Sequence, residues 1–444
     1  MESFSQPDLL SYGGKLIKSA FVKHIKCLGG YLRGKDYCRG CNSQRIFIAL
    51  NLGFSPLANR LVRSENLESA EPWYPLVLRV CENCALGQLG EFNSDFEIFR
   101  DYPYLSSTSS TWLESNKNFA ETMSKQLNLQ TQDLVLEIAS NDGYLLQYFQ
   151  QSQIEVLGIE PALNVATIAS INGIPTSPEF FSENLAKKLI TKIKSPRLVV
   201  AKNVVAHVPD LRDFLRGIAV LTSKDTLVVF EAPTITNIIN KMQFDTIYHE
   251  HFSYLSASFF DKILPEFNLK LSGIEKVETH GGSLRFFITS DHSRVELPKT
   301  FITSLHDTLL EEQSVNITDS SGWKALSDLV GKSLIEFRDW VLNSNNPIVG
   351  YGAAAKAVTL LSAAQIPRDS ILFCIDNSEG KINHFMPGHQ IPIISESEFK
   401  LNHGVESYNF LIFPWNLKKE ISERIKSFSP NSQIFVALPK VEEV

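Results

Sequence analysis

The chain has 444 residues, 43% of them hydrophobic, and a formal net charge of −7. At about 150 residues per domain, that length predicts two to four packed domains. The acidic balance argues against a broad nucleic-acid surface, which needs clustered Lys and Arg, and no apolar run approaches the ~20 residues of a membrane helix.

Residues 1–34 carry scattered lysines and no continuous apolar core, so they read as an extension and not as a cleaved leader. Residues 35–108 are rich in Cys, Pro, Gly and Tyr with little helical periodicity, as expected of a small metal-stapled unit. Within it, Cys38-x-x-Cys41 and Cys81-x-x-Cys84 are separated by 39 residues. Each pair offers two thiolates at a spacing that suits one tetrahedral ion, and two pairs close the shell. Four thiolates leave no open position, so the zinc is expected to be structural and not catalytic. Six cysteines in a chain this long do not make a disulfide scaffold, and the C-x-x-C pairing predicts a reducing, cytoplasmic setting. Cys27 and Cys374 stand alone and are expected to pack.

Residues 109–295 alternate apolar runs of strand length with helical stretches. The runs are LVLEIA (134–139), IEVLGIE (154–160), RLVVAKN (197–203) and TLVVFEAP (226–233). This alternation predicts a parallel, doubly wound sheet. LKLSGIEKVE and SLRFFIT, joined across Gly281 and Gly282, predict a closing antiparallel pair. In LVLEIASNDGYLL, Glu137, Ala139, Asn141 and Gly143 occupy the positions of an acidic-x-G-x-G-x-G loop, two of whose glycines are replaced. Glu160 ends the next strand, 17 residues beyond Gly143, where an acid can accept from both ribose hydroxyls of an adenosine cofactor. A dinucleotide pyrophosphate wants the bare backbone of G-x-G-x-x-G. A loop carrying Glu137 and Asp142 suits the cationic methionine end of S-adenosylmethionine better. Asn203 is expected at the carboxyl end of the sheet, where open α/β sheets bind ligands. His207 follows it, either as a site residue or as a cap or core histidine.

YHEHFSYL, Tyr248–Leu255, sets two histidines around Glu250. It lacks the H-E-x-x-H spacing of a metal site, so the metal reading loses to acid–base work. Residues 296–345 read as long amphipathic helices, and residues 296–444 as a whole close on a smaller parallel α/β unit with PIVGYGAAAK, ILFCIDN, YNFLIFPWN and QIFVALP. GYGAAAK can offer backbone N–H groups at a helix start, with Lys356 near a diphosphate. Asp376, Asn377 and Lys381 are weaker candidates for a nucleotide, and Trp415 either stacks on a base or packs in a core.

From Tyr37 to the C-terminus, an ordered set of motifs resembles the bacterial sugar C-methyltransferases. They are C-x-x-C, SPLANRLV, C-x-x-C-A-L-G-Q-L, YPYLSSTSS, EIASNDGYLL, NVVAHVPD, FDTIYHEHFSYLS, HGGSLRFF, GYGAAAKA and IDNSEGKINHFMPGHQIPI. The resemblance implies an α/β protein of three parts: an N-terminal zinc-binding unit, a central class I (Rossmann-like) methyltransferase domain that binds S-adenosylmethionine, and a smaller Rossmann-like C-terminal domain that helps hold the substrate. It implies a nucleotide-linked 4-keto deoxysugar as partner, methylated at carbon 3. Methylating carbon next to a ketone needs a base, donors at the oxygen and an in-line methyl group. By match to Y-x-E-H, His251 is the candidate base, and Glu250 orients it or binds the sugar. Direct Glu250–His251 pairing on an extended strand would need a bend. Tyr248 and His207 are candidate donors to the enolate oxygen. Tyr102 and Tyr104 are candidates to reach the sugar. His249 and Tyr254 are expected to be bystanders. An N- or O-methyltransferase on the same scaffold, or a zinc-ribbon binding protein without turnover, are the alternatives.

Overall fold

A computed structural model describes residues 36–90, 105–108, 110–278, 281–403 and 407–444. Tyr102 and Tyr104 lie outside them, as does Cys27.

The first unit is antiparallel. Strands β1 (Ile46–Ser55), β2 (Tyr74–Cys81) and β3 (Gly87–Gln88) form a meander whose inner face buries Leu50, Leu76, Leu78 and Val80. The seven-stranded sheet comes next. It contains β4 (Leu134–Ile138), β5 (Glu155–Ile159), β6 (Thr176–Ser177), β7 (Leu198–Lys202) and β8 (Leu227–Ala232), all parallel. Strands β4, β7 and β8 are buried along their whole length because helices cover both faces, which is why they read as unbroken apolar runs.

A two-residue strand, β9 (Ser253–Tyr254), leaves this domain and pairs antiparallel with β3, completing the first sheet as β1-β2-β3-β9. Gly87 is required there. A Cβ on it would stand 2.9 Å from that of Tyr254 and 2.8 Å from Ile235 Cδ1. Strands β10 (Leu269–Val277) and β11 (Ser283–Ser290) form the expected antiparallel pair, and β11 runs antiparallel to β8. The order is β10-β11-β8-β7-β4-β5-β6, so the strand order reverses at β4 and opens a crevice at its carboxyl end.

Two helices, Lys299–Ser314 and Ser320–Leu342, lead into the third sheet. It holds β12 (Ile348–Tyr351), β13 (Cys374–Ile375), β14 (Ile393–Ile394), β15 (Asn409–Ile412), β16 (Gln433–Val436) and β17 (Glu442–Glu443) in the order β14-β13-β12-β15-β16-β17. Only β17 is antiparallel among the described strands. Here the order reverses at β12, beside GYGAAAK.

The first and third units share one core. Leu50 and Leu78 pack in the same cluster as Ile247, Trp323, Leu361 and Leu411. Val62 bridges to Phe385, Glu71 accepts from the Gly388 N–H at 2.8 Å, and Thr359 donates to the Ile247 carbonyl at 2.9 Å. No helix among the described residues is long and apolar enough to cross a membrane.

Candidate active site and zinc centre

The four cysteine sulfurs converge within 4.8 Å of one another. Cys38 Sγ lies 3.5 Å from Cys84 Sγ, and Cys41 Sγ 3.6 Å from Cys81 Sγ. A tetrahedron with Zn–S bonds of about 2.3 Å has edges of roughly 3.8 Å, so the set fits one zinc ion. The two knuckles are built alike. The residue after each second cysteine, Asn42 or Ala85, has a left-handed backbone (φ 59° and 61°) and donates its N–H to the carbonyl of the first cysteine. Asn83 adds an N–H to Cys81 Sγ and a side-chain amide to Cys41 Sγ, both at 3.4 Å. These are donors that suit thiolate ligands.

A cavity of about 550 Å³ opens at the carboxyl end of the central sheet. One end is the loop after β4. Ala139, Asn141 and Gly143 have φ of 55°, 50° and 82°, so the replaced glycine positions keep the left-handed shape of a glycine loop. Asn tolerates that region; Ala pays roughly 1 kcal/mol for it. Gly143 has a second reason, since a Cβ there would lie 2.7 Å from Ile174 Cγ1. Ala139, Asn141, Glu160 and Asn203 line the cavity. The Glu160 carboxylate accepts from Asn141 N at 3.0 Å and Ala162 N at 2.8 Å, and burial pushes its pKa up against those two bonds. Each oxygen retains a lone pair for a ribose hydroxyl. Asn203, at φ 54°, buries its side-chain Oδ1 at the cavity with no hydrogen-bond partner among the described residues. The open groups and the volume fit S-adenosylmethionine.

Glu137 and Asp142 stand behind this wall and not in it. Glu137 is fully buried, and its pKa is pushed well up by burial, with Lys202 opposing. Asp142 Oδ2 accepts from Ser107 N at 3.1 Å, and Asn141 Oδ1 from Ser106 N at 2.9 Å, which ties the end of YPYLSS to the loop. Lys202, Trp112, Tyr144 and Phe180 also line the cavity. Tyr144 directly follows Gly143 in the loop motif but was not singled out there, and the other three lie outside it and carried no local signal.

The other end is Tyr248–His251, which is a turn and not a strand: His251 N donates to the Tyr248 carbonyl at 2.9 Å. The bend brings Tyr248 Oη within 2.9 Å of His251 Nε2. His251 Nδ1 lies 3.0 Å from the Thr246 carbonyl, which can only accept, so the proton is on Nδ1 and Nε2 takes the Tyr248 hydroxyl hydrogen. His207 Nδ1 donates to the Glu250 carbonyl at 2.7 Å, and its ring stands edge-on to His251 with centroids 4.7 Å apart. Burial holds His251 well below the usual histidine range, with His207 and Lys356 adding to the fall, and brings His207 to about 4. Both are neutral at pH 7.

Two expectations change here. Glu250 does not orient His251, despite the bend; the Thr246 carbonyl does. The Glu250 carboxylate turns away to accept from Asn59 N of SPLANRLV at 3.0 Å. Lys356, expected near a diphosphate, stands beside the Tyr248–His251 turn. It lines the same cavity as Tyr248 and His251, with Nζ 3.0 Å from Asn416 Oδ1 and 4.3 Å over the Trp415 ring. At the GYGAAAK turn itself an acid already sits: Asp376 Oδ2 accepts from Ala353 N at 2.8 Å and pairs with Lys381 at 3.3 Å. Trp415 is tied by its indole N–H to Asp245 at 2.7 Å. His249 reaches the Pro75 carbonyl at 3.2 Å, outside the cavity wall, and buried Tyr254 accepts from Tyr248 N at 3.2 Å.

Comparison with known proteins agrees with this architecture. Residues 38–99 match a zinc-binding domain profile, 113–272 a methyltransferase domain and 278–439 a C-methyltransferase C-terminal domain. The chain is 29% identical over 408 residues to C-methyltransferase NovU of Streptomyces niveus, covering 91% of this chain and 96% of that one. Among solved structures, a Pyrococcus horikoshii protein, PH0226, superposes with a TM-score of 0.34 at 12% identity, over 45% of this chain and 99% of its own. Magnesium protoporphyrin IX methyltransferase from Synechocystis gives 0.31 at 13%, over 46% and 100%. Superpositions this weak carry no argument. The three profiles in their order, and a relative aligned over nine-tenths of both chains, do: the chain belongs to the C-methyltransferase family, enzymes that use S-adenosylmethionine, and it carries a zinc centre.

Proposed function

We propose that this enzyme methylates carbon 3, beside the ketone, of a nucleotide-linked 4-keto deoxysugar. When bound, S-adenosylmethionine supplies the electrophilic methyl group. The chain's own residues make the carbon nucleophilic. The observation that carries the reading is a neutral imidazole, His251, anchored through Nδ1–H to Thr246, with Nε2 on the Tyr248 hydroxyl, in the wall of the cavity that also holds Glu160 and Asn203.

His251 Nε2 takes the proton from the carbon, directly or through the Tyr248 hydroxyl that lies on it. In the relayed form the carbon proton passes to Tyr248 Oη while the phenolic proton moves to Nε2. The electron pair of the C–H bond becomes the enolate, and the methyl group adds to that carbon. General-base work of this kind contributes typically ~10²–10⁴ in rate. Glu250 is a positioning residue. Its carbonyl sets the His207 tautomer and its carboxylate ties the zinc-bearing unit to the site.

The test mixes enzyme and a 4-keto sugar nucleotide in deuterated water without methyl donor. Deuterium should enter carbon 3, and His251→Gln should abolish it. Binding of the sugar nucleotide without exchange in the wild type would refute enolate formation. Carbon NMR of the methylated product separates a carbon acceptor from an oxygen or nitrogen one.

A further inference from the structure

We propose that Lys356, contributed by the C-terminal unit, is the cation that holds the ketone oxygen as it becomes an enolate. This rests on the enolate reading above and assigns the group that makes it feasible.

The first ground is placement. Lys356 lines the cavity beside Thr246, Tyr248 and His251 although it lies about a hundred positions further along the chain. Thr359 brings it there: three residues on in the same helix, its hydroxyl donates to the Ile247 carbonyl.

The second ground is the platform. The ammonium sits on the Trp415 ring and donates to Asn416. Trp415 in turn is held by Asp245, and Gly281 leaves it room, because a Cβ there would fall 2.5 Å from its ring. Three separate segments thus fix one nitrogen.

The third ground is unspent capacity. An ammonium has three N–H donors, and Asn416 is its one hydrogen-bond acceptor among the described residues. No described carboxylate stands at ion-pair distance from it. The other lysine on the wall, Lys202, is already spent on Glu231 at 3.1 Å.

Chemistry supplies the fourth. His251 is a weak base, and a C–H bond beside a ketone is a far weaker acid than imidazolium. That gap must be closed where the charge lands, on oxygen. The neighbouring neutral donors are occupied: Tyr248 donates to His251, and His207 donates to the Glu250 carbonyl. Lys356 opposes the imidazolium while the oxygen is neutral, and the enolate's negative charge cancels that repulsion as it forms. A diphosphate, with two or more charges, would call for more than one free cation at this wall.

The experiment uses full-length, zinc-loaded protein with Lys356→Gln and Lys356→Arg. Deuterium exchange at the carbon without methyl donor should fall ~10²–10³-fold in the Gln variant. Its dissociation constants for the sugar nucleotide, and for the nucleoside diphosphate alone, should change less than about threefold, in keeping with an interaction made mainly in the transition state. The Arg variant keeps the charge and should recover at least a tenth of the wild-type exchange. Removing the cation should also move the acid limb of the rate profile upward, since Lys356 depresses His251. Tenfold weaker diphosphate binding with exchange retained would overturn the proposal in favour of a phosphate anchor. If the Gln variant does not fold, loss of exchange in a folded Arg variant to the level of His251→Gln overturns it equally. No exchange in the wild type would instead refute the enolate reading itself.

Discussion

Beneath the cofactor cavity lies a buried charge cluster whose removal makes a sharp prediction. Glu231, at 0% exposure, accepts from Arg285 Nε at 2.8 Å and pairs with Lys202 Nζ at 3.1 Å. Lys202 also donates to Asn116 Oδ1 at 2.7 Å and lies 4.2 Å over the Phe119 ring, and Arg285 reaches out to Glu275 at 2.8 Å. Burial alone would raise the Glu231 carboxyl, but the two cations outweigh it and hold it at about 2. Lys202 falls to about 8 because burial, with Arg285 adding to it, opposes its charge more than Glu231 and Glu137 support it. The two directions agree once Glu231 is counted as the buried anion that both cations share, with Glu275 supporting Arg285 from the outer side. Glu231→Gln takes the shared buried anion from Lys202 and Arg285 and leaves Arg285 only Glu275, a loss of about 3–5 kcal/mol. The fall from 4.5 to about 2 corresponds to roughly 3 kcal/mol at about 1.4 kcal/mol per pH unit, in the same range. For a domain of this size that is a drop in melting temperature of roughly 6–20 °C, read by scanning calorimetry.

The sign follows from linkage. A depressed carboxyl contributes its full stability above 4.5 and loses it as pH falls towards 2, so the gap between wild type and variant should close on acidification. Without its anion, Lys202 should release its proton below the wild-type value of about 8, so the variant should gain stability on the alkaline side from a lower pH than the wild type does. Lys202→Met added to Glu231→Gln should be less harmful than Glu231→Gln alone. A loss under about 1 kcal/mol, or a double variant worse than the single, would refute the cluster as described.

Other outcomes follow from single features. Replacing any of Cys38, Cys41, Cys81 or Cys84 by Ser should remove zinc altogether in native mass spectrometry, because a tetrahedral site closes as a unit. Gly143→Ala should weaken S-adenosylmethionine binding and lower stability, for its φ of 82° and its contact with Ile174, whereas Ala139→Gly should be neutral or stabilising by up to ~1 kcal/mol in calorimetry. The acid limb of kcat should lie well below pH 6.5, as His251 does. His207, His249 and His389, each brought to about 4 by burial, must take up protons on unfolding, so stability should fall as pH drops from 6.5 towards 4.

Much of this was legible along the chain, for a physical reason. C-x-x-C, an apolar run and a glycine-loop pattern are local: spacing along the backbone sets the chemistry. Hence the zinc ligands, the alternating strands of the central sheet, and the loop from Glu137 to Gly143 could all be read. The left-handed backbone at Ala139 and Asn141 even keeps a glycine shape that the residue types obscure.

The site's assembly was not legible, because it depends on which surfaces pack. Strand periodicity fails for Tyr248–His251, which a turn folds so that Tyr248 meets His251 while Glu250 leaves for Asn59. The group that orients His251 is a backbone carbonyl, which has no residue identity to read. Strand β9 belongs to the first sheet only because Gly87 lets two backbones approach. Local order thus specified the three units and their ligand types. The shared core of the first and third units, seated on Ile247, decided that Lys356 faces His251, since only packing over long sequence distance brings those two side chains into one cavity.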